Sequence, residues 1–145
     1  LRVQRLCGAS GGLIIGVDLR KPREILEAAY NDMAGVTAEF NLNLLVRANR
    51  ELGANFDLSH WRHRAVYNEE QGRIEMHLVS ESDQTVQLGG REFRFVAGEK
   101  VITEFSYKHT RDGFVSLAES AGFKLARTWT DAQQWFAVFH FTVPD

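Results

Sequence analysis

The spacing of apolar positions changes along the chain, and each change marks an element. In "LRVQRLC" they fall at helical spacing, so this segment is expected to be the end of an amphipathic helix that starts upstream. "GASGG" then predicts a turn. The run "LIIGVDL" (13–19) is apolar almost throughout, as in a strand buried on both faces of a parallel sheet. Pro22 suits the first turn of a helix, and "REILEAAYND" carries Ile25, Leu26, Ala29 and Tyr30 at helical spacing. A second helix presents Val36, Phe40, Leu44, Leu45 and Ala48 and ends near "RELGAN", where Gly53 is the expected cap.

From "HWRHRAVYN" (60–68) the period shortens to two, through "RIEMHLVS", "QTVQL", "REFRFV" and "EKVITEFSY". The pattern predicts an antiparallel meander with turns at Asn68 to Gly72 and at Gly89-Gly90. "TRDGFVSLAESAGF" reads as a helix that begins near Thr110 and is capped by Gly122. Two last strands, "KLARTWTD" and "WFAVFHFTV", flank a turn at Asp131 to Gln134. The whole is mixed α/β (α+β). The first strand and the last helix and strands are expected in one sheet, with an α+β segment inserted between them as a cap.

One strand holds candidate chemistry. In "VITEFSYKHT" (101–110), alternation sends Glu104 and Ser106 to one face and Thr103, Phe105 and Tyr107 to the other. A carboxylate and a hydroxyl converging on one spot suit a polar ligand. The same pattern also describes a solvent-exposed strand face. His60 and His63 have metal-like spacing but straddle a loop-to-strand boundary without a nearby third ligand, so a metal is not expected. No nucleophile-elbow sequence surrounds any serine. Asp18, at the end of the first strand, is expected to cap the following helix.

Composition narrows the classes. The chain has 145 residues, is 44% hydrophobic and carries a formal net charge of -2, which fits an ordinary globular protein and gives no basic footprint for nucleic acid. Nothing favours a membrane partner, since no apolar run approaches the roughly 20 residues of a span. The only cysteine, Cys7, excludes a disulfide framework and points to a reducing compartment, the cytoplasm.

At "LIIGVDLRK", "AAYNDMAGVTAEFNLNLL", "RIEMHL" and "TEFSYK" the chain resembles the C-terminal half of the histidine-specific, S-adenosylmethionine (SAM)-dependent N-alpha-methyltransferases of ergothioneine biosynthesis. The resemblance runs over essentially all of the chain. It implies a Rossmann-like methyltransferase sheet represented by residues 1–19 and 101–145, with an inserted substrate-binding domain at 20–100. It further implies SAM as cofactor, with its glycine-rich loop upstream, and a small amino acid as substrate. The E-x-S motif matches Glu104 and Ser106, which would hold the substrate imidazole. Tyr30 matches the tyrosine that binds the substrate carboxylate, while Met76 and Thr37 correspond to positions close to the ring. No residue here is implied as catalytic, cofactor-binding or metal-binding. A different class also fits the residues: a non-catalytic α+β binding or assembly module that forms a homodimer through an exposed sheet edge.

Overall fold

The computed structural model describes residues 2–8 and 11–144. The turn expected at "GASGG" includes Ala9 and Ser10, which lie outside them. The chain forms two compact units, one of residues Leu1–Lys21 with Tyr107–Asp145 and one of Pro22–Ser106.

The first unit contains α1 (Arg2–Cys7), β1 (Gly12–Asp18), α4 (Arg111–Ser120), β7 (Lys124–Thr130) and β8 (Phe136–Thr142). Its sheet has the order β1-β8-β7, and both pairings are antiparallel. Phe139 and Phe141 on β8 are fully buried and stack at 5.7 Å, with Val17, Leu19, Ala118 and Phe123 around them. Alternate residues of β8 supply this core, as a half-buried strand requires. The Thr110 hydroxyl accepts from the Gly113 N–H to cap α4, and Gly122 follows the helix at φ 87°.

Two expectations fail here. "LIIGVDL" is not enclosed in a parallel sheet: β1 pairs with β8 alone among the described strands, and Ile14 is 70% exposed. A short apolar run does not reveal how many partners its strand has, so periodicity alone misjudged it. Asp18 caps no helix. Its carboxylate faces the ammonium groups of Lys21 and Lys108, the latter at 2.8 Å with its side chain 1% exposed. Burial alone would raise the Asp18 carboxyl, but the two lysines outweigh it and hold the group below its ordinary value.

The second unit contains α2 (Arg23–Tyr30), α3 (Val36–Leu52), a 3-10 turn at Leu58–His60, β2 (Trp61–Asn68), β3 (Arg73–Ser80), β4 (Gln84–Leu88), β5 (Arg91–Phe95) and β6 (Lys100–Tyr107). Its main sheet has the order β2-β3-β6, while β4 and β5 form a separate hairpin. The expected meander is therefore interrupted, and β6 joins β3 past that hairpin. Gly89 and Gly90, at φ 58° and 74°, turn the hairpin with two consecutive left-handed residues, the type I′ arrangement that glycine favours. Gly53 ends α3 in the left-handed conformation. Leu26 of α2 packs on Ala65, Tyr67, Ile74 and Met76. Leu45 of α3 packs on Trp61 and Leu78. The helices thus cover one face of β2 and β3.

Candidate substrate-binding site

The segment that joins α2 to α3, "YNDMAGVT", is held by side chains that satisfy backbone groups. The Asn31 side-chain amide donates to the Ala65 carbonyl, and its oxygen accepts from the Ala65 N–H, at 3.0 and 2.8 Å. Asn31 thereby takes the place of a neighbouring strand beside β2. The Glu27 carboxylate accepts from the Tyr67 N–H one turn earlier. Asp32 accepts from the Val36 and Thr37 N–H groups, both at 2.9 Å, and so satisfies free donors at the start of α3. The Thr37 hydroxyl and these N–H groups hold the Asp32 carboxyl down at about 2.

This bracing fixes Tyr30 at the end of α2. Its carbonyl bonds the His63 ring at Nε2, 2.8 Å away, and its ring packs against the core cluster that includes Met76. Its phenol oxygen lies 2.8 Å from the Ser106 hydroxyl on β6. Both side chains are half-buried.

Of the five residues singled out from the sequence, the structure joins Tyr30 to Ser106 by this bond and places Met76 in the core cluster against which Tyr30 packs. Met76 is buried in the sheet as a core residue. Thr37 sits in the first turn of α3 and is engaged with Asp32. Glu104 is exposed on β6, two positions before Ser106.

Strict alternation does not describe β6. Thr103, expected on the face opposite Ser106, donates toward Asn41 on α3 at 2.7 Å and toward the Met76 carbonyl at 2.9 Å. Residues three apart thus both contact the helical layer. A threonine hydroxyl is short and sits at Cβ, so it reaches the neighbouring backbone from a position where a longer side chain would point away.

Sequence reasoning missed Asn41. It is 1% exposed and ties three elements together: its amide nitrogen donates to the His77 carbonyl and lies 2.9 Å from His63 Nδ1, and its oxygen accepts from Thr103. His63 therefore spans Asn41 and the Tyr30 carbonyl and is part of the same scaffold. A signal was present. Asn41 stands four residues before the buried Leu45, on the buried stripe of α3.

Among the described residues no group of three or more His, Cys, Asp or Glu side chains is arranged to hold a metal ion. The Tyr30–Ser106 hydroxyl pair offers hydrogen-bonding groups suited to a small polar molecule.

Comparison with known proteins agrees in direction. The family described as "Histidine-specific methyltransferase, SAM-dependent" matches residues 1–143. "Histidine N-alpha-methyltransferase" of Mycolicibacterium smegmatis is 41% identical over 121 residues, covering 82% of this chain and 38% of that protein. The protein of the same name from Mycobacterium tuberculosis is 40% identical over the same length and shares. "Ergothioneine biosynthesis protein 1" of Schizosaccharomyces pombe is 31% identical over 114 residues, 78% of this chain and 15% of its own. The chain therefore spans well under half the length of these relatives.

Proposed function

Since the chain belongs to the histidine-specific, SAM-dependent methyltransferase family, we propose that it is the substrate-recognition portion of an L-histidine N-alpha-methyltransferase. The enzyme would transfer methyl groups from SAM to the alpha-amine, as far as the trimethylated betaine. The observation that carries this reading is the contact between Tyr30 and Ser106, two residues that the family motif assigns to one amino-acid ligand.

The roles follow from functional-group chemistry. The Glu104 carboxylate accepts from a ring N–H of the imidazole, and Ser106 meets the second ring nitrogen. Tyr30 offers a neutral phenol to the substrate carboxylate. Met76 and Thr37 shape the space near the ring. Fixing ring and carboxylate together leaves the alpha-amine one orientation, and orientation is what an in-line displacement demands. Activity is then expected to depend on this chain for aim rather than for acid–base chemistry.

SAM supplies the activated methyl group, but the described residues do not fit it. Binding it calls for backbone N–H donors of a glycine-rich loop leading from a strand into a helix, and a carboxylate for the ribose. Gly11 and Gly12 instead follow α1 and open β1. An apolar cavity of ≈ 340 Å³ in the first unit is lined by Val3, Leu13, Phe114, Leu117 and Phe123, with Ser120 as its polar side chain. It offers no carboxylate. We therefore place the cofactor site in the part of the protein that the relatives carry beyond this match, and read the first unit, residues 1–21 with 107–145, as the end of a Rossmann-like sheet that the 22–106 insert interrupts; the boundary at 101 expected from the sequence falls inside β6, which belongs to the sheet of the insert.

The assay is direct. The full-length protein, given histidine and isotopically labelled SAM, should yield mono-, di- and trimethylhistidine by mass spectrometry. Absence of all three, with SAM bound, overturns the reading.

The exposed edge of β1 supports a second reading, in which two copies associate there. Sedimentation at two concentrations distinguishes a dimer from a monomer. No helix of the described residues is long and apolar enough to cross a membrane, and we propose the cytoplasm as the compartment.

A further inference from the structure

On β2 and β3, the residues that face away from α2 and α3 are set by the register. Arg62 lies opposite Val79, Arg64 opposite His77, and Val66 opposite Glu75, while Ala65, Tyr67, Ile74 and Met76 face the helices. This face, which α2 and α3 do not cover, carries a concavity of ≈ 350 Å³. It is lined by Arg62, Arg64 and Lys100 together with Val66, Val79 and His77. Lys100 is brought there by the turn before β6, where the Gly98 N–H bonds the Ser80 carbonyl and the Ser80 N–H bonds the Glu99 carbonyl.

The charges around the concavity do not balance. Arg62 faces Glu81 at 3.4 Å. Glu75 is divided between Arg73 at 2.9 Å and His77 at 3.2 Å. Arg64 and Lys100 have no ion-pair partner among the described residues. Their field is felt inside: burial lowers the His77 imidazole below its ordinary value, and the charges of Lys100 and Arg64 push the same way against the pull of Glu75.

Cations gathered around a concave, partly desolvated surface attract an anion more strongly than the same charges spread over a flat one. The ligand is compact. No Phe, Tyr or Trp ring lines the pocket for base stacking, and the chain as a whole has a net charge of -2, so nucleic acid does not fit. Guanidinium and ammonium donors lining one pocket match an oxyanion with several acceptor oxygens.

We propose that this pocket binds a tetrahedral oxyanion, either free phosphate or the phosphate group of a small monoester, held by Arg64 and Lys100 with Arg62 beside them. The site lies on the sheet face opposite Tyr30 and is separate from the amino-acid site.

The test is a titration of the full chain, labelled with nitrogen-15, with inorganic phosphate and in parallel with glycerol 3-phosphate at low ionic strength. Saturable shifts confined to the amides of Arg64, His77, Gly98 and Lys100 are expected. Tighter binding of glycerol 3-phosphate identifies the monoester as the ligand, and equal or weaker binding identifies free phosphate. The double substitution Arg64→Gln, Lys100→Gln should weaken binding by roughly tenfold or more, whereas Arg91→Gln on the β4–β5 hairpin should change nothing. Lys100→Gln alone should give an intermediate loss and serves if the double variant does not fold. Linear, unsaturating shifts spread over the basic surface, or equal losses in Arg91→Gln and the double variant, overturn the proposal.

Discussion

Tyr30 and Ser106 stand 76 residues apart in sequence, yet their hydroxyl oxygens lie 2.8 Å apart. Either group can donate, and either way the bond consumes one of the two hydroxyl protons. The ring-reading and carboxylate-binding roles proposed for Ser106 and Tyr30 are coupled through this bond.

Tyr30→Phe removes one end of that bond without emptying the volume beneath the ring. A loss of about 1 kcal/mol in stability is expected, as for an ordinary part-buried hydrogen bond. In the full-length enzyme KM should rise for every amino-acid substrate alike, because the carboxylate is common to all. Urea denaturation and steady-state kinetics provide the two readouts. An unchanged KM in a folded variant makes the phenol a packing residue.

Asn41→Ala strips partners from the His77 carbonyl, the Thr103 hydroxyl and the His63 ring at once. A destabilisation of about 2–3 kcal/mol is expected, since groups left unpaired in the interior lose both protein and water partners. A surface polar residue of α3, such as Asn43, should tolerate the same substitution within about 0.5 kcal/mol. Equal denaturation midpoints for the two variants would remove Asn41 from the scaffold.

These residues show how far the sequence reaches. Gly53, Gly89-Gly90 and the Thr110 cap were legible because turn chemistry is local: a positive φ or an unpaired N–H is met by a residue within a few positions. The faces of β2 and β3 were legible from their period of two. The partner of β6 was not, because alternation states which side chains share a face and is silent about which strand lies alongside. Tyr30 and Ser106 were singled out through a family motif, one for each end of the ligand; nothing local to either segment announces their contact. Asn41 was overlooked because a polar residue on a helix is read first as exposed, although its place four residues before Leu45 says otherwise.

Asp32 gives a pH signature. Its folded value of about 2 lies below the ordinary aspartate value of 3.8. The stability it contributes is therefore fully present above about pH 4 and is lost as pH falls toward about 2. Asp32→Asn keeps an acceptor but not the charge at the start of α3, so the variant should be less stable at neutral pH and the difference should shrink as acid is added. Denaturant midpoints of both proteins between pH 6 and pH 2 measure this, on the order of four points being enough. A gap that stays constant over the range would mean that the charge is irrelevant and only the hydrogen bonds matter.

The chain on its own should not bind SAM, because its described residues offer neither the glycine-rich loop nor the ribose carboxylate. Calorimetric titration of the 145-residue chain reads this directly. Micromolar affinity would place a cofactor site within these residues.

Glu104 carries the sharpest expectation about specificity. It is exposed on β6, so its removal should hardly affect folding. Glu104→Ala in the full-length enzyme leaves an imidazole N–H without its acceptor, which should cost on the order of 1–3 kcal/mol, or roughly tenfold to a hundredfold in kcat/KM for histidine. Phenylalanine has no ring N–H to lose, so its kcat/KM should stay where it was and the preference for histidine should narrow by the same factor. Glu104→Gln refines the result: a neutral acceptor retains the geometry, so recovery of most of the lost rate assigns the effect to the hydrogen bond, and failure to recover assigns it to the charge. An equal fall for histidine and phenylalanine in Glu104→Ala would show that the carboxylate supports the strand instead of reading the ring.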